Sequence, residues 1–201
     1  NRKVKIISKK NGGLSSARNC GVLNSTGDWI CFLDGDDHIK TDIISRLINQ
    51  ISKDDEIVCF GTIKEYQKKS FNYDFNGIFK KKKFFNDKQE LIAYLFDFRT
   101  QIGDATAKVY KKDFLTHNNI KHDEQVRYGV ESIVFNYLCF LKTKQLHYID
   151  YYGYIYAYNG KSITSYQNEA CIKNTIEGIK KLNRLIEKNP NSKLIHNLLL
   201  K

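Results

Sequence analysis

The sequence is poor in two residue types: among its 201 residues it has no methionine and a single proline, Pro190. No proline-rich linker and no internal repeat is apparent, so the length fits one sizeable domain or a domain with an appendage. No run approaches the roughly 18 apolar residues of a membrane-spanning helix, and no signal peptide opens the chain. Because the chain starts abruptly at Asn1 without methionine, we expect it to be a piece of a longer protein.

The cysteines lack the spacing of a metal site or a disulfide framework. They are odd in number and scattered, with no Cys-x-x-Cys pair and no cysteine/histidine ligand pattern. Most lie in apolar stretches, which favours reduced core thiols in a cytoplasmic protein. The five are Cys20, Cys31, Cys59, Cys139 and Cys171.

Basic residues outnumber acidic ones, 33 against 22, which gives a formal net charge of +11. This surplus favours anionic partners such as nucleotide phosphates or an acidic membrane surface. A merely solubilising surface explains it equally well. Because no recognised nucleic-acid-binding motif accompanies the charge, nucleic acid is not expected as a partner.

Acidic residues nevertheless cluster in Asp34-Gly35-Asp36-Asp37, directly after the apolar residues 29–33. Three carboxylates in four positions repel one another, and burying them without a counter-charge is costly. Aspartate oxygens suit Mg²⁺ or Mn²⁺, and these ions suit nucleotide phosphates. The alternative is negative charge capping the helix that follows, but capping needs one acid rather than three. The cluster therefore predicts a divalent-metal site.

The hydrophobic pattern predicts alternating strands and helices, which is typical of an α/β domain. Ser15 or Ser16 caps the predicted first helix, and Thr41 with Asp42 caps the second. The continuous apolar run 29–33 is typical of a strand inside a parallel sheet. The predicted strands are 4–7, 29–33, 56–61, 107–110 and 148–158, and the predicted helices begin near residues 15, 41, 87 and 132.

Two segments keep alternative interpretations. Residues 64–86, with four consecutive lysines at 80–83, indicate a solvated hairpin or excursion, or else a basic patch that contacts a membrane. The apolar residues Ile172, Ile176, Ile179, Leu182 and Ile186 recur with helical spacing, opposite lysines. That pattern fits a helix docked on the domain, or a membrane anchor.

Three segments taken together resemble a known family. Residues 11–21, 25–30 and 32–37 are similar, in order and spacing, to the middle of a family-2 glycosyltransferase domain of the GT-A fold, and the resemblance extends loosely to about Thr164. It implies a Rossmann-like α/β fold: a mixed, mostly parallel sheet flanked by helices, without its first strand–helix units. The transferase domain would occupy residues 1–165, and a helical extension residues 166–201.

The same resemblance implies roles for the acidic cluster. Asp34, on the ribose side, would contact the nucleotide together with Gly35 and Arg18. Asp36 would coordinate Mn²⁺ or Mg²⁺ on the donor diphosphate, and Asp37 would support or share that metal.

The catalytic base is irregular. The family places it in an acidic pair that opens a helix, but here Glu131 is followed by Ser132. Serine is not a base at neutral pH without a partner. Either Glu131 takes over, or Asp123 or Glu124 reaches in, or this copy is impaired.

The resemblance implies a metal-dependent, inverting transferase of bacterial capsule or envelope polysaccharide synthesis. Its partners would be a nucleotide-diphosphate sugar, by resemblance a UDP-sugar, and a saccharide or lipid-linked acceptor. A cytoplasmic location with peripheral contact at the inner membrane face is compatible with the lysines. The alternative is a catalytically degenerate transferase-fold module that binds a nucleotide sugar or a protein partner.

Overall fold

The computed structural model of the chain describes residues 4–66, 69–73, 83–96, 102–158 and 168–189. The helices are α1 (Gly13–Asn24), α2 (Ile43–Gln50), α3 (Lys88–Leu95), α4 (Lys112–His117), α5 (Glu131–Lys142) and α6 (Glu169–Glu187). The strands are β1 (Trp29–Cys31), β2 (His38–Ile39), β3 (Ile57–Tyr66), β4 (Lys69–Tyr73), β5 (Phe84–Phe85), β6 (Lys108–Lys111) and β7 (Leu146–Tyr158).

The strands form one mixed sheet in the order β1-β6-β3-β7-β2, with β4 paired to β3 and β5 paired to β7. The predicted mixed α/β fold with flanking helices is confirmed. The expectation of mostly parallel pairing is wrong, because within the described ranges only β3 and β7 pair in parallel. The reason lies in β6, which runs antiparallel between β1 and β3 and so separates two strands that point the same way.

Strand β1 therefore has a different place from the one predicted. It lies at one end of the strand order and, among the described residues, pairs only with β6. Its apolar sequence reflects packing of Ile30 and the following Phe32 into the core, not a central position in a parallel sheet. The predicted strand at 4–7 is also wrong: these residues have no strand structure, and Ile6 is 90% exposed.

Helices cover both faces of the sheet. Along β3, Ile57 and Cys59 pack into the layer that contains α3, α4 and α5, while Val58 and Phe60 face the layer that contains α2. This alternation follows from the two-residue period of a strand. The strand is apolar at successive positions because both of its faces are buried.

The first two helices start differently from the prediction. Helix α1 begins at Gly13, whose N–H donates to the Asn11 Oδ1, and the predicted caps Ser15 and Ser16 lie buried inside the helix. Gly13 has a φ of +84°, a conformation that favours glycine, so the turn sets the start of the helix. Asp42 is the residue before α2, but its carboxylate binds Arg46 and the Tyr151 hydroxyl instead of capping the helix.

The two ambiguous segments are partly resolved. Strands β3 and β4 form an antiparallel hairpin, as predicted for the first part of 64–86, while residues 74–82 lie outside the described residues. Helix α6 docks on the domain through Leu182 and Ile186, both buried. The other three residues of the predicted apolar stripe, Ile172, Ile176 and Ile179, are exposed. No helix in the described part of the chain is long and apolar enough to cross a membrane. The predicted domain boundary after residue 165 also lies outside the described residues.

Two glycine-to-alanine substitutions should change stability in opposite directions, because Gly153 of β7 is closely packed against α2 and Gly21 is not closely packed. A Cβ at Gly153 would lie 2.5 Å from Ile43 Cδ1 and 3.1 Å from Phe60 Cδ2. We expect Gly153→Ala to lower the free energy of unfolding by about 1–3 kcal/mol through overpacking. A Cβ at Gly21, in α1, meets nothing within 4 Å, so Gly21→Ala should raise stability by up to about 1 kcal/mol. Urea denaturation of the two variants measures both, and a neutral Gly153→Ala would contradict the close packing.

Candidate active site

The acidic tetrapeptide joins the two ends of the sheet order. It follows β1, the first strand in that order, and leads directly into β2, the last. A turn bends it, since the Asp37 N–H donates to the Asp34 carbonyl at 3.1 Å. The three carboxylates therefore lie on the loop that runs from the first strand of the sheet order to the last. Each has different surroundings.

Asp34 is held by Arg18. The buried guanidinium of Arg18, carried by α1, places Nη2 2.9 Å from Asp34 Oδ1 and Nη1 3.0 Å from the Ser132 hydroxyl at the start of α5. The Asp34 side chain remains 35% exposed, so part of its carboxylate stays accessible to a ligand. The structure thus brings Arg18, Asp34 and Ser132 together, and their contact with a nucleotide stays a prediction.

Asp37 is tied to β7. Its carboxylate accepts hydrogen bonds from the Tyr154 hydroxyl at 2.5 Å and from the Ala157 N–H at 3.0 Å. Partial burial of the carboxylate raises the pKa of Asp37, and the negative charges of Asp36 and Asp34 raise it further. The two hydrogen bonds act in the opposite direction. Asp37 therefore anchors the loop at the end opposite to Arg18.

Asp36 is the exposed member of the cluster. Within the described part of the chain, no hydrogen bond or ion pair reaches its carboxylate. The oxygens suit a hard divalent cation, and the described residues include no cluster of three or more cysteine, histidine or acidic ligands. One or two carboxylates would therefore need phosphate oxygens to complete the coordination of such an ion, and Mg²⁺ often binds in this way with nucleotides.

Gly35 lies at the end of a groove of about 450 Å³ between α1 and β1. The lining of the groove is largely apolar and includes Leu14, Val22 and Trp29, and the charged residues Arg18 and Asp34 line it as well. An apolar groove with a few polar groups is the usual form of a small-molecule site.

The sequence candidates for the catalytic base are all engaged elsewhere. Glu131 is buried, and its Oε2 accepts the Gly129 N–H at 2.7 Å. Tyr128 and Gly129 both have positive φ angles, 63° and 92°, and the Glu131 carboxylate stabilises this tight turn before its own helix. Positions 131 and 132, where the family carries its base, therefore offer no free carboxylate.

The two alternatives contact other helices. Asp123 forms an ion pair with Lys181 of α6, and Glu124 accepts a hydrogen bond from Asn19 of α1 at 3.1 Å. That hydrogen bond is the main cause of the lowered pKa of Glu124. A lowered pKa makes a carboxylate a weaker base.

A carboxylate that sequence reasoning missed, Asp104, lies near the cluster. It interacts electrostatically with Asp34, Arg18 and Glu131, and it is solvent-accessible. In the sequence it was only an acidic residue before the predicted strand 107–110, with no motif around it. It comes near the acidic loop because β6 pairs with β1.

An aromatic layer that includes His122 packs beside Arg18. The His122 ring stacks on Phe135 with centroids 4.0 Å apart, and its face lies at right angles to Phe32 at 5.2 Å. Burial, and secondarily the Arg18 charge, lowers the pKa of His122 to about 3. No hydrogen bond from the described residues reaches either ring nitrogen. His122 is therefore a neutral packing residue at neutral pH.

The buried His122 predicts a pH-dependent loss of stability. In the unfolded chain it takes up a proton near its ordinary pKa of about 6.5, whereas the folded chain resists protonation down to about 3. Stability should therefore fall as the pH is lowered below 6.5, by about 2 kcal/mol between pH 7 and 5. His122→Phe should remove this part of the slope in urea titrations, and His117→Ala, at an exposed histidine, should leave it. An unchanged slope in His122→Phe would contradict a neutral His122.

Comparison with known proteins places the chain in a family. The family model "Glycosyl transferase family 2" matches residues 1–117. The chain is 27% identical over 167 residues to the uncharacterized glycosyltransferase EpsJ of Bacillus subtilis, covering 81% of this chain and 47% of that protein. It is 29% identical over 161 residues to the cholesterol galactosyltransferase of Borreliella burgdorferi, covering 75% and 43%.

A solved structure shares the fold. S. aureus TarS 1–349 in complex with UDP-GlcNAc superposes with a TM-score of 0.72 at 15% identity, over 96% of this chain and 54% of that one. The chain spans about half the length of the relatives it matches. Because the family model covers more than half of the sequence, the chain belongs to glycosyltransferase family 2.

Proposed function

We propose that this chain carries the metal- and diphosphate-binding part of an inverting glycosyltransferase. The donor is a nucleotide-diphosphate sugar of the UDP type, and the acceptor is a saccharide or a lipid-linked glycan. The observation that carries the proposal is the exposed Asp36, without a hydrogen-bond partner in the described part of the chain, on a loop fixed by Arg18–Asp34 and Tyr154–Asp37.

The two anchors explain how such a loop binds a charged ligand. Arg18 holds one oxygen of Asp34 and leaves the carboxylate partly exposed, which supports a role in accepting a hydrogen bond from a ribose hydroxyl. Asp36, with Asp37 beside it, would hold Mn²⁺ or Mg²⁺. When bound, that ion supplies Lewis-acid stabilisation of the negative charge on the leaving diphosphate. A loop fixed before the ligand arrives needs little reorganisation during the reaction.

The proposed reaction is a direct displacement. The acceptor oxygen forms a bond to the anomeric carbon while the bond from that carbon to the diphosphate oxygen breaks, so the configuration inverts. The acceptor hydroxyl loses its proton to a base of the protein. The leaving group is the nucleoside diphosphate.

The proposed setting is bacterial cell-surface polysaccharide synthesis at the inner face of the membrane. The name of the Borreliella relative denotes a lipid acceptor, and the solved TarS structure holds a UDP-sugar. The net charge of +11 favours contact with anionic lipid surfaces.

A second candidate function is a degenerate transferase module that binds a nucleotide sugar or a protein partner. Ser132 favours it, because the position where the family carries its catalytic carboxylate is a serine bound to Arg18. Such a module would bind a donor without turning it over.

The metal role predicts a selective effect of Asp36→Asn in the full-length protein. We expect UDP binding in the presence of Mn²⁺, measured by isothermal titration calorimetry, to weaken at least about 10-fold, since loss of one charged contact to a bound ion costs about 1.4 kcal/mol or more. Asp28→Asn alters an exposed aspartate at the opposite end of β1 and should leave binding unchanged.

Two results would contradict the proposal. Equal affinities of wild type and Asp36→Asn for UDP with Mn²⁺ would remove the metal role of Asp36. Absence of UDP binding by the wild type with either Mn²⁺ or Mg²⁺ would remove the donor site altogether.

A further inference from the structure

The proposed displacement needs a base, and the structure leaves the expected position without one. The Ser132 hydroxyl already accepts a hydrogen bond from Arg18 at 3.0 Å. A serine hydroxyl is not a base at neutral pH without a partner of its own. The inference below rests on the function proposed above, because only a transfer reaction requires this proton acceptor.

The backbone of Asp104 is bound by Asn136, which lies one turn along α5 from Ser132. Ser132 and Asn136 lie four residues apart on α5 and so share one face of that helix. The Asn136 side-chain amide donates to the carbonyls of Gly103 at 2.8 Å and Asp104 at 2.9 Å. The loop that carries Asp104 is thereby fixed against the α5 face that presents Ser132 to Arg18.

The buried side chain of Lys108 also holds this loop. Lys108 is almost completely buried, and its Nζ donates to the Asp104 carbonyl at 2.6 Å. The Tyr110 hydroxyl binds Asn136 at 2.8 Å and the Ala105 carbonyl at 3.3 Å. A backbone held at this many points positions its side chain well, as a reacting group requires.

The Asp104 carboxylate itself remains available. It is solvent-accessible, and among the described residues it accepts no hydrogen bond and forms no ion pair. Its electrostatic interactions are with Lys108, Asp34, Arg18 and Glu131, which places it in the field of the acidic site. Glu131, Asp123 and Glu124, in contrast, each have a partner.

We propose that Asp104 is the general base of this enzyme and does the work that a carboxylate at position 132 would do. The Asp104 carboxylate takes the proton of the acceptor hydroxyl while the acceptor oxygen attacks the anomeric carbon. The electron pair of the broken carbon–oxygen bond leaves with the nucleoside diphosphate, so charge and atoms balance. Asp104 is therefore assigned to the acceptor side of the site.

The electrostatics of Asp104 agree with this role. Although Asp104 keeps solvent-accessible surface, the protein atoms around its carboxyl reduce hydration and raise its pKa, and the negative charges of Asp34 and Glu131 act in the same direction. The positive charges of Lys108 and Arg18 oppose them. A carboxylate with a raised pKa is a better proton acceptor near neutral pH.

A purely structural role for the Asp104 side chain predicts something different. The contacts that hold the loop run to the backbone carbonyl of residue 104, which asparagine retains. Asp104→Asn should therefore fold normally and still lose the base. This separates chemistry from packing in a single isosteric variant.

The test uses the full-length protein with Mn²⁺ and a panel of UDP-hexoses and UDP-N-acetylhexosamines, with added oligosaccharides or water as acceptor. UDP release gives kcat, and calorimetry gives the affinity for UDP. We expect Asp104→Asn to lower kcat by about 10²- to 10⁴-fold while the affinity for UDP changes less than about twofold. Asp150→Asn, at an exposed aspartate of β7, is the matched control and should keep full kcat.

A rescue variant gives a readout that a structural role would not produce. The double variant with Ser132→Asp and Asp104→Asn should have a kcat at least about 10-fold above that of Asp104→Asn alone. It returns a carboxylate to the position where the family carries its base. Asp104→Glu should retain part of the activity, because it keeps the carboxylate but moves it by one methylene.

The outcomes separate this inference from the function on which it rests. If the wild type releases UDP and Asp104→Asn does so at the same kcat, Asp104 is not the base and the proposed transferase stands. If the wild type binds UDP but turns over no donor, the chain is a binding module, and both the transferase and its base are overturned. If the wild type binds no UDP, the donor site is wrong and the base falls with it.

Discussion

The site depends on one buried cation, the guanidinium of Arg18. A buried charge is costly unless it is paired and hydrogen-bonded. The Arg18 guanidinium donates one hydrogen bond to Asp34 and another to Ser132. It therefore links helix α1, the acidic loop and the start of helix α5. The guanidinium also offsets part of the repulsion among the three carboxylates of the tetrapeptide. Without it, the loop would carry uncompensated negative charge beside an aromatic layer.

The acidic cluster divides its work among three carboxylates with different surroundings. Asp34 is held by Arg18, and Asp37 is held by Tyr154 and the Ala157 amide. These anchors fix both ends of a loop that crosses from one end of the sheet order to the other. Asp36 lies between the anchors and remains exposed to solvent. A cluster that looks uniform in sequence thus consists of two anchored carboxylates, of which Asp34 stays 35% exposed, and one without an anchor in the described residues.

Prediction from sequence succeeded where a property belongs to one element. The buried strand β3, the apolar α5 and the existence of α6 follow from local patterns, because a strand or helix sets which of its own residues share a face. In α6 only Leu182 and Ile186 of the predicted stripe are buried. The prediction failed for β1, whose apolar run was taken as the interior of a parallel sheet. Hydrophobicity reports burial of side chains, whereas pairing partners depend on where β6 inserts. The strand at 4–7 failed similarly, since a strand needs a neighbour that a local pattern cannot reveal.

The sequence by itself determined the family, the acidic tetrapeptide and the missing aspartate at position 132, because each is written in contiguous residues. Only the tertiary structure decided what surrounds them. In the folded chain the Glu131 carboxylate binds the turn before its own helix, and Asp123 pairs with Lys181. Folding also brings Asp104 into electrostatic interaction with Arg18. The partners Arg18 and Ser132 are 114 positions apart. Contacts at such separations arise from the packing of helices on a shared sheet, so no local spacing in the chain encodes them.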